Sequence, residues 1–320
     1  LSDFGIPALS YNAFQLEMTT TGDFSNARIM DLNLNKLKRQ LEMRSVIVVT
    51  GFQGITPDGD LTTLGRGGSD TSAVAIAAKC GCPCEIYSDV AGVYTCDPNK
   101  RAGARKLEYI TFDEMLELSS LGAKVLHSRA VEIAKKYSVD LYCASTFSDE
   151  RGTYVVNSLP EWLEQPVVTG VTTDSNQMRV NIVRMPASMD AVSALFGGLA
   201  EQGLNVDMIS TVNENGHSHL TFTVVDAKEK TVLETVRRTL APWEGWNVTE
   251  DRNVAKISAV GVGMKSAPGV AARFFGALSR KGIKMLGTTT SEIKISALVS
   301  REEGDEALRA LVDEFGLGEA

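Results

Sequence analysis

The sequence predicts an α/β chain: a mainly parallel sheet with helices on both faces in the first half, then two ferredoxin-like βαββαβ units. Two observations lead to this fold class. The first half shows the order of a βαβ unit: the β-branched run Val46–Val49, a glycine-rich loop, the small-residue stretch Thr71–Lys79 and a second predicted strand at Cys84–Tyr87. In the second half, an internal repeat has an offset of 79 residues, with Met185 matching Met264.

The first elements surround a glycine-rich loop. The run Val46–Val49 is typical of a fully buried parallel strand. The loop Thr62–Gly68 then leads into the predicted helix Thr71–Lys79, with Ser69 as its N-cap. Three glycines allow a close backbone approach to a ligand, and a helix N-terminus attracts an anion. The alternative is a tight turn that carries a surface arginine.

Two charged side chains lie in this loop and just after it. Arg66 presents a planar fork that suits a carboxylate or a phosphate, and Asp70 can hold an ammonium group. The loop therefore offers both halves of an amino-acid recognition site.

A second loop, Ser88–Asn99, is predicted at the carboxyl end of the next strand, where parallel sheets bind ligands. Its Asp89 can hold a magnesium ion or a ribose, and Tyr94 can stack on a base. A plain turn is the alternative for this segment.

A helix is predicted from Thr111 to Ser120, with Thr111 or Asp113 as its cap. Lys124 follows among small and apolar residues, where an ammonium group is costly unless an anion meets it. We therefore expect Lys124 to contact a phosphate; a surface lysine with a buried stem is the alternative. His127 is expected to be a hydrogen-bonded structural residue rather than a base.

The repeat in the second half places a strand before an amphipathic helix that ends near a glycine. The helices are predicted at Ala191–Gln202 and Val270–Lys281, and further strands at Leu220–Val225 and Ile293–Leu298. Neither copy carries a set of catalytic side chains, so both are expected to bind ligands or to regulate. The other matching pairs are Phe196 and Phe275, Gly197 and Gly276, Leu199 and Leu278, and Gly203 and Gly282.

Composition excludes several classes of protein. The length of 320 residues allows two domains. With 43% hydrophobic and 22% charged residues, the chain has the composition of a globular protein with a hydrophobic core. The net charge of −8 and the lack of a basic cluster argue against a nucleic-acid surface. No apolar run is long enough to span a membrane, so a soluble, cytoplasmic protein is expected. The cysteines are expected to be buried, reduced thiols rather than metal ligands: Cys80, Cys82, Cys84, Cys96 and Cys143.

Several motifs together resemble the aspartate kinase family, and the resemblance extends over essentially the whole chain. It implies the amino-acid kinase fold, with the C-terminal portion of the catalytic domain at 1–158 and paired ACT domains at 166–320. The first ACT domain is expected at about 177–250 and the second at about 251–320, with 166–174 as a further strand of the second. The motifs are Val49–Gly54, Thr63–Asp70, Asp89–Pro98 and Leu121–His127.

The resemblance implies transfer of the γ-phosphoryl group of ATP to the side-chain carboxylate of L-aspartate, with Mg²⁺ bridging the phosphates. It also implies lysine, threonine or methionine as the effector of the ACT domains, and a homodimer or a larger assembly. In this scheme Arg66 clamps a carboxylate of aspartate and Asp70 holds its ammonium group. The implied site residues are Arg66, Gly67, Ser69 and Asp70 for aspartate, Ser88, Asp89, Tyr94, Asp97 and Lys124 for the nucleotide, and Val206, Asp207, Thr211, Ser291 and Glu292 for the effector.

The chain departs from the family pattern in three places. The family's Lys-x-Gly-Gly-Thr-Ser phosphate loop and a later catalytic glutamate are absent, so these 320 residues are expected to be inactive or nearly so. Asn99 stands where the family often has arginine, so the nucleotide contacts at this position are expected to differ from those of the family. Met189-Asp190 replaces the turn that the second copy keeps as Pro268-Gly269, so feedback inhibition is expected to be weakened or altered in its ligand.

Two alternatives stay open from the sequence. The first is a non-catalytic regulatory subunit that binds amino acids through its ACT domains; the intact Arg66–Asp70 loop argues against it. The second is another amino-acid kinase, such as one acting on glutamate. The Phe52–Gly54 segment and the double ACT tail argue against that alternative.

Overall fold

A computed structural model describes residues 1–120, 125–162 and 166–319. The chain divides into two compact units. The first unit comprises Leu1–Gly170 and the residues from Gly318 onward, and the second comprises Val171–Leu317. No helix among the described residues is both long enough and apolar enough to cross a membrane.

The first unit mixes short strands and helices. Parallel pairs join its first strand to its fourth, its second to its fifth, its seventh to its ninth and its eighth to its tenth. Antiparallel pairs complete the sheets. The strands are β1 (Ala8–Tyr11), β2 (Thr19–Thr20), β3 (Ile29–Asp31), β4 (Val46–Val49), β5 (Gln53–Ile55), β6 (Leu61–Thr63), β7 (Cys84–Ser88), β8 (Tyr109–Thr111), β9 (Leu141–Ser145) and β10 (Thr153–Val156), and the helices are α1 (Asn35–Glu42), α2 (Gly68–Cys80), α3 (Phe112–Ser120) and α4 (Ser128–Tyr137).

Sheet pairing in the first unit corrects the predicted βαβ unit. The order strand, loop, helix, strand is right, but β4 pairs with β1 whereas β7 pairs with β9, so the two strands lie in different sheets among the described residues. The prediction of one mainly parallel sheet is therefore wrong for the described residues, which form the sheets β1-β4, β3-β2-β5-β6 and β7-β9-β10-β8. Sequence order does not reveal which strands become neighbours.

The strand β4 is parallel, as predicted, but it is not fully buried. Val46 and Val48 are 42% and 52% exposed. Ile47 and Val49 point to the other face and pack on a core cluster that includes Leu37 of α1. The apolar run is thus covered on one face only.

Burial also separates the cysteines. Cys84, Cys96 and Cys143 are buried, and desolvation raises the pKa of their thiols to about 11, 11 and 12. Cys82 is exposed, so the expectation of five buried thiols is wrong. The reason is that Gly81, with φ 71°, ends α2 and turns the chain at the surface.

The second unit is built on one six-stranded sheet with the order β12-β13-β11-β14-β16-β15. The strand β13 is antiparallel to both of its neighbours, and so is β16. The strands are β11 (Gly170–Pro186), β12 (Asp207–Glu214), β13 (His217–Val225), β14 (Asn247–Val260), β15 (Gly287–Thr290) and β16 (Lys294–Ser300), and the helices are α5 (Met189–Glu201), α6 (Glu229–Leu240), α7 (Val270–Arg280) and α8 (Gly304–Glu314).

The repeat explains this sheet. Its two halves, β11-β13-β12 and β14-β16-β15, meet where the long strands β11 and β14 are neighbours, so the copies share one sheet. The predicted helices and strands of both copies are present as α5, α7, β13 and β16. In the first half, apolar side chains of β11 and β13 such as Met178 and Phe222 pack with α5 and α6 residues such as Leu195 and Val236 in one core.

The two repeat helices begin differently. Met189, the first residue of α5, corresponds to Pro268, whereas α7 begins at Val270. Ser188 caps α5 by accepting a hydrogen bond from the N–H of Asp190 at 3.2 Å. The N-cap of α7 is instead Gly269, with φ 88°. The first copy therefore has an acidic, side-chain-capped helix start and the second copy a glycine turn.

Candidate functional site

The glycine-rich loop bends sharply before α2. Gly65 and Gly67 have φ of 78° and 69°, left-handed conformations that favour glycine. The helix begins at Gly68 with Gly67 as its N-cap, so the prediction that Ser69 caps a helix starting at Thr71 is wrong. Ser69 lies in the first helical turn, whose N–H groups have no partner within the helix. The loop thus ends in an open helix N-terminus.

Two aromatic side chains pack on this loop where a Cβ would not fit. A Cβ at Gly67 would lie 2.3 Å from the Cβ and Cγ of His127, and a Cβ at Gly68 would lie 2.7 Å from the Cδ2 of Phe52. The hydroxyl of Ser72 accepts the N–H of Phe52 at 3.0 Å and donates to the carbonyl of Gly68 at 2.9 Å. The start of α2 is therefore held from two sides.

The charges of the loop remain available to a ligand. Arg66 is exposed, and among the described residues no carboxylate forms an ion pair with it. Asp70 is half-buried and accepts the backbone N–H of His127. Burial raises the pKa of Asp70, and the hydrogen bond and charge of His127 oppose this shift only in part. The structure places Arg66, Gly67, Ser69 and Asp70 together at the N-terminus of α2.

A second group of candidates lies at the carboxyl ends of β7 and β9, which are parallel with Ser88 opposite Ser145. Asp89 follows β7 and is exposed. The N–H of Thr146 donates to the carbonyl of Ser88 at 2.8 Å, and Phe147 is 83% exposed beside it. Sequence reasoning identified Ser88 and Asp89 but missed Ser145–Phe147. The signal that could have located them is the mostly apolar run Leu141–Ala144, which ends in the polar residues Ser145 and Thr146.

The rest of the Ser88–Asn99 loop is held by local bonds. Tyr94 forms an isolated antiparallel bridge with Lys106. Asp97 accepts the N–H of Asn99 at 2.9 Å and its side-chain amide at 3.2 Å, so its carboxylate closes an Asx turn. Lys124, the predicted phosphate contact, lies outside the described residues.

Comparisons with known proteins identify both units. The model of the amino acid kinase family matches residues 1–145, and that of the ACT domain matches residues 257–315. The aspartokinase of Helicobacter pylori is 42% identical over 318 residues, covering 97% of this chain and 78% of the relative. An aspartokinase of Thermus thermophilus is 41% identical over 320 residues, covering 99% of this chain and 78% of the relative.

The chain belongs to the aspartokinase family. It is therefore a phosphotransferase whose acceptor is the carboxyl group of aspartate, with an ACT region of the kind that regulates amino-acid biosynthesis.

Solved aspartokinases share the fold. Escherichia coli aspartokinase III, solved in complex with aspartate and ADP, superposes with a TM-score of 0.81 at 24% identity, covering 98% of this chain and 71% of that chain. The Clostridium acetobutylicum aspartate kinase superposes with a TM-score of 0.78 at 21% identity, covering 96% and 70%. The amino-acid-kinase and ACT parts of the predicted fold class are thus confirmed.

In this aspartokinase family member, the expected effector residues lie at two places on the ACT sheet. Asp207 and Thr211 are on the edge strand β12, directly after Val206, whereas Ser291 and Glu292 form the turn between β15 and β16. Among the described residues, no hydrogen bond or ion pair joins the two groups. The strands β12 and β15 are the opposite edges of the sheet, so the two groups belong to different halves of it.

In the first of these groups, Asp207 forms an ion pair with a lysine of the same chain. The ammonium group of Lys256, only 4% exposed, donates to the carboxylate of Asp207. Burial by itself raises the pKa of Asp207, but Lys256, the N–H of Met208 and Lys294 together hold it below its usual range. Glu292 in the second group accepts a hydrogen bond from Lys265 at 2.8 Å, on the surface.

Proposed function

We propose that the chain binds ATP and L-aspartate and forms 4-phospho-L-aspartate and ADP. In this reaction a side-chain carboxylate oxygen of aspartate bonds to the γ-phosphorus while the bond from that phosphorus to the oxygen of ADP breaks. The observation that carries the proposal is the open N-terminus of α2, which presents first-turn N–H groups beside the exposed Arg66 and the carboxylate of Asp70.

The aspartate site follows from these charges. Arg66 clamps a carboxylate with its planar fork, and the N–H groups at Gly67 and Ser69 add hydrogen bonds to the anion. Asp70 takes the ammonium group of the substrate. Because Asp70 is already anchored by the N–H of His127, it offers its charge in a defined position.

The nucleotide site is proposed at the carboxyl ends of β7 and β9. Ser88 and Asp89 lie at this edge, and Tyr94 and Asp97 of the loop that follows are proposed as further contacts. Lys124 is proposed to contact a phosphate. Asp89 is an exposed oxygen donor, the type of ligand that Mg²⁺ prefers, and is proposed to contact an Mg²⁺ ion that bridges the nucleotide phosphates.

The second unit is proposed to regulate this reaction as paired ACT domains, at about 177–250 and 251–320, with the catalytic portion at 1–158. Lysine, threonine or methionine is the proposed effector, and Val206, Asp207 and Thr211 with Ser291 and Glu292 are the proposed contacts. Since the two groups belong to opposite halves of the sheet, we propose that a homodimer or larger assembly brings them into one site.

Calorimetric titration with L-aspartate tests the kinase proposal. Binding is the sharper readout because it reports directly on the charges of the loop, Arg66 and Asp70. We expect aspartate to bind, glutamate to bind far more weakly, and Arg66→Gln to abolish binding. Arg151→Gln, which removes an exposed arginine paired with Glu108, is the matched control. Aspartate binding unaffected by Arg66→Gln contradicts the proposal.

The same titration tests the two alternative functions. A chain that binds lysine, threonine or methionine but neither aspartate nor nucleotide would be a regulatory subunit. Tighter binding of glutamate than of aspartate would indicate another acceptor.

Feedback control is tested at the first ACT copy. Asp190 and the Ser188 cap occupy the helix start where the second copy has Gly269. A negative charge there repels a ligand carboxylate, so we propose weak or altered effector binding at this copy. Titration with lysine, threonine and methionine measures it. Tight binding of lysine or threonine that is lost in Asp207→Asn would overturn the proposal.

A further inference from the structure

Arg129 in the first turn of α4 makes two hydrogen bonds to distant backbone carbonyls. Its Nη1 donates to the carbonyl of Leu64 at 2.9 Å, and its Nη2 donates to the carbonyl of Ala27 at 2.6 Å. Among the described residues, no carboxylate forms an ion pair with Arg129. Burial and the nearby charge of Arg28 lower the pKa of Arg129, and the charge of Glu132 opposes this shift.

Both carbonyls belong to buried residues, since Leu64 is 1% and Ala27 0% exposed. Their segments run side by side, because the N–H of Ala27 donates to the carbonyl of Thr63 at 3.0 Å. A buried carbonyl without a partner destabilises the fold. The forked guanidinium of Arg129 satisfies one carbonyl from each segment and so closes the end of this short ladder.

This ladder leads directly into the glycine-rich loop that is proposed to bind aspartate. Leu64 is followed by Gly65, whose backbone packs against the 25–26 segment: a Cβ there would lie 3.0 Å from the Oδ1 of Asn26. Two residues before Arg129, His127 packs on Gly67. The start of α4 therefore holds the loop at its entry through Arg129 and at its exit through His127, with Arg66 between them.

We propose that Arg129 is a positioning residue for the aspartate site. By fixing the carbonyl of Leu64, it sets the path of the backbone through Gly65 and thus the direction in which Arg66 presents its fork. This inference rests on the proposed function of the loop. It assigns Arg129 to recognition of aspartate and not to the nucleotide, whose proposed contacts lie at the ends of β7 and β9.

The test compares Arg129→Gln and Arg129→Lys with the unchanged chain. Gln removes the fork and the charge, whereas Lys keeps the charge and can reach one carbonyl. Lys135→Gln is the matched control, because it removes a positive charge from the same helix at an exposed site paired with Asp113. The dissociation constants for L-aspartate and for Mg·ADP are measured by calorimetry, with the melting temperature of each variant.

We expect Arg129→Gln to weaken aspartate binding about tenfold or more and Arg129→Lys to weaken it less, because one charge-assisted hydrogen bond is retained. The dissociation constant for Mg·ADP should change by less than about twofold, and Lys135→Gln should alter neither ligand. If Arg129→Gln does not fold, the dissociation constants of Arg129→Lys for the two ligands alone test the inference.

If the substitutions weaken the binding of aspartate and of Mg·ADP equally, Arg129 only supports the structure in general, and the inference is overturned. Unchanged binding of aspartate would also overturn it. If the unchanged chain binds no aspartate, the proposed function itself fails, which is a different result from a variant that binds normally.

Discussion

His127 touches α2 twice: its ring lies where a Cβ on Gly67 would come within 2.3 Å of its Cγ, and its backbone N–H donates to the carboxylate of Asp70. The N-cap and the first turn of one helix are thus held by the N-cap residue of another, α4. This contact places the glycine loop, and with it Arg66, on a rigid support.

Replacing Gly67 tests that support. Gly67→Ala imposes left-handed strain of about 1 kcal/mol and also collides with His127, so we expect a loss above about 2 kcal/mol in the free energy of unfolding, together with weakened aspartate binding. Gly81→Ala is the control, because Gly81 ends the same helix with φ 71° and has nothing within 4 Å of its Cβ position. The free energy of unfolding of both variants is measured by denaturant unfolding. If both variants lose the same amount, a collision between the new Cβ and His127 does not contribute.

Asp70 is expected to reduce stability at neutral pH while it serves binding. Burial raises its pKa in the folded state above the ordinary 3.8, so its contribution favours folding at low pH and is lost as the pH rises through the raised value. At pH 7, Asp70→Asn should therefore melt no lower than the unchanged chain, whereas near pH 3 the two should differ little.

The same variant should bind aspartate at least about tenfold more weakly at pH 7, because a charge-assisted hydrogen bond to the ammonium group is lost. Calorimetry and thermal melting at both pH values measure the two effects. A lower melting temperature of Asp70→Asn at pH 7 would contradict the raised pKa of Asp70. Unchanged aspartate affinity would contradict its role in binding the ammonium group.

Glu114 is expected to matter for stability through its hydrogen bonds to two threonines. Buried at 1% exposure, it accepts the N–H and hydroxyl of Thr111 at 3.1 and 2.7 Å and the hydroxyl of Thr169 at 2.5 Å. Thr111 in turn accepts the N–H of Glu114 at 3.3 Å, which makes a capping box and confirms Thr111 as the cap of α3.

Glu114→Gln turns one acceptor oxygen into a donor, so we expect about 1–3 kcal/mol less unfolding free energy. Asp113→Asn, which breaks only the exposed ion pair with Lys135, should lose less than about 1 kcal/mol. Urea denaturation measures the unfolding free energy of both variants. A greater loss of unfolding free energy for Asp113→Asn than for Glu114→Gln would contradict the stabilising role of the buried Glu114.

The pair of Asp207 and Lys256 is expected to anchor the ACT sheet. Asp207→Ala leaves the buried ammonium group of Lys256 without its counter-charge, at a cost of about 1–3 kcal/mol, because the carboxylate of Asp207 is partly exposed to solvent. The double variant Asp207→Ala/Lys256→Met should recover part of this loss. If it is instead less stable than the single variant, the charge is not the cause.

The pH dependence of this effect has a defined sign. Because the folded pKa of Asp207 lies below the ordinary 3.8, the pair stabilises above that value and its contribution is lost as the pH falls through the folded pKa. The stability difference between Asp207→Ala and the unchanged chain should therefore be largest near neutral pH and shrink on acidification. Thermal melting from pH 7 to pH 3 measures it.

Local patterns in the sequence determined most elements near the site. The glycine run with φ-positive turns at Gly65 and Gly67, the helix behind it and the strand at Cys84–Ser88 each follow from neighbouring residues, as does the repeat that yields α5 and α7. The family motifs were also visible, because they are contiguous runs of residues. The start of α2 was misplaced, since a glycine N-cap leaves no side-chain signal.

Only the tertiary structure decided how these elements support one another. The pairing of β4 with β1, the bonds of Arg129 to Leu64 and Ala27 across 65 and 102 residues, and the bond of Lys256 to Asp207 across 49 residues join segments with no local pattern in common. Such contacts depend on which surfaces meet when the chain folds. A sequence read from neighbour to neighbour specifies the elements that carry the chemistry, whereas long-range packing and burial set their positions and charges.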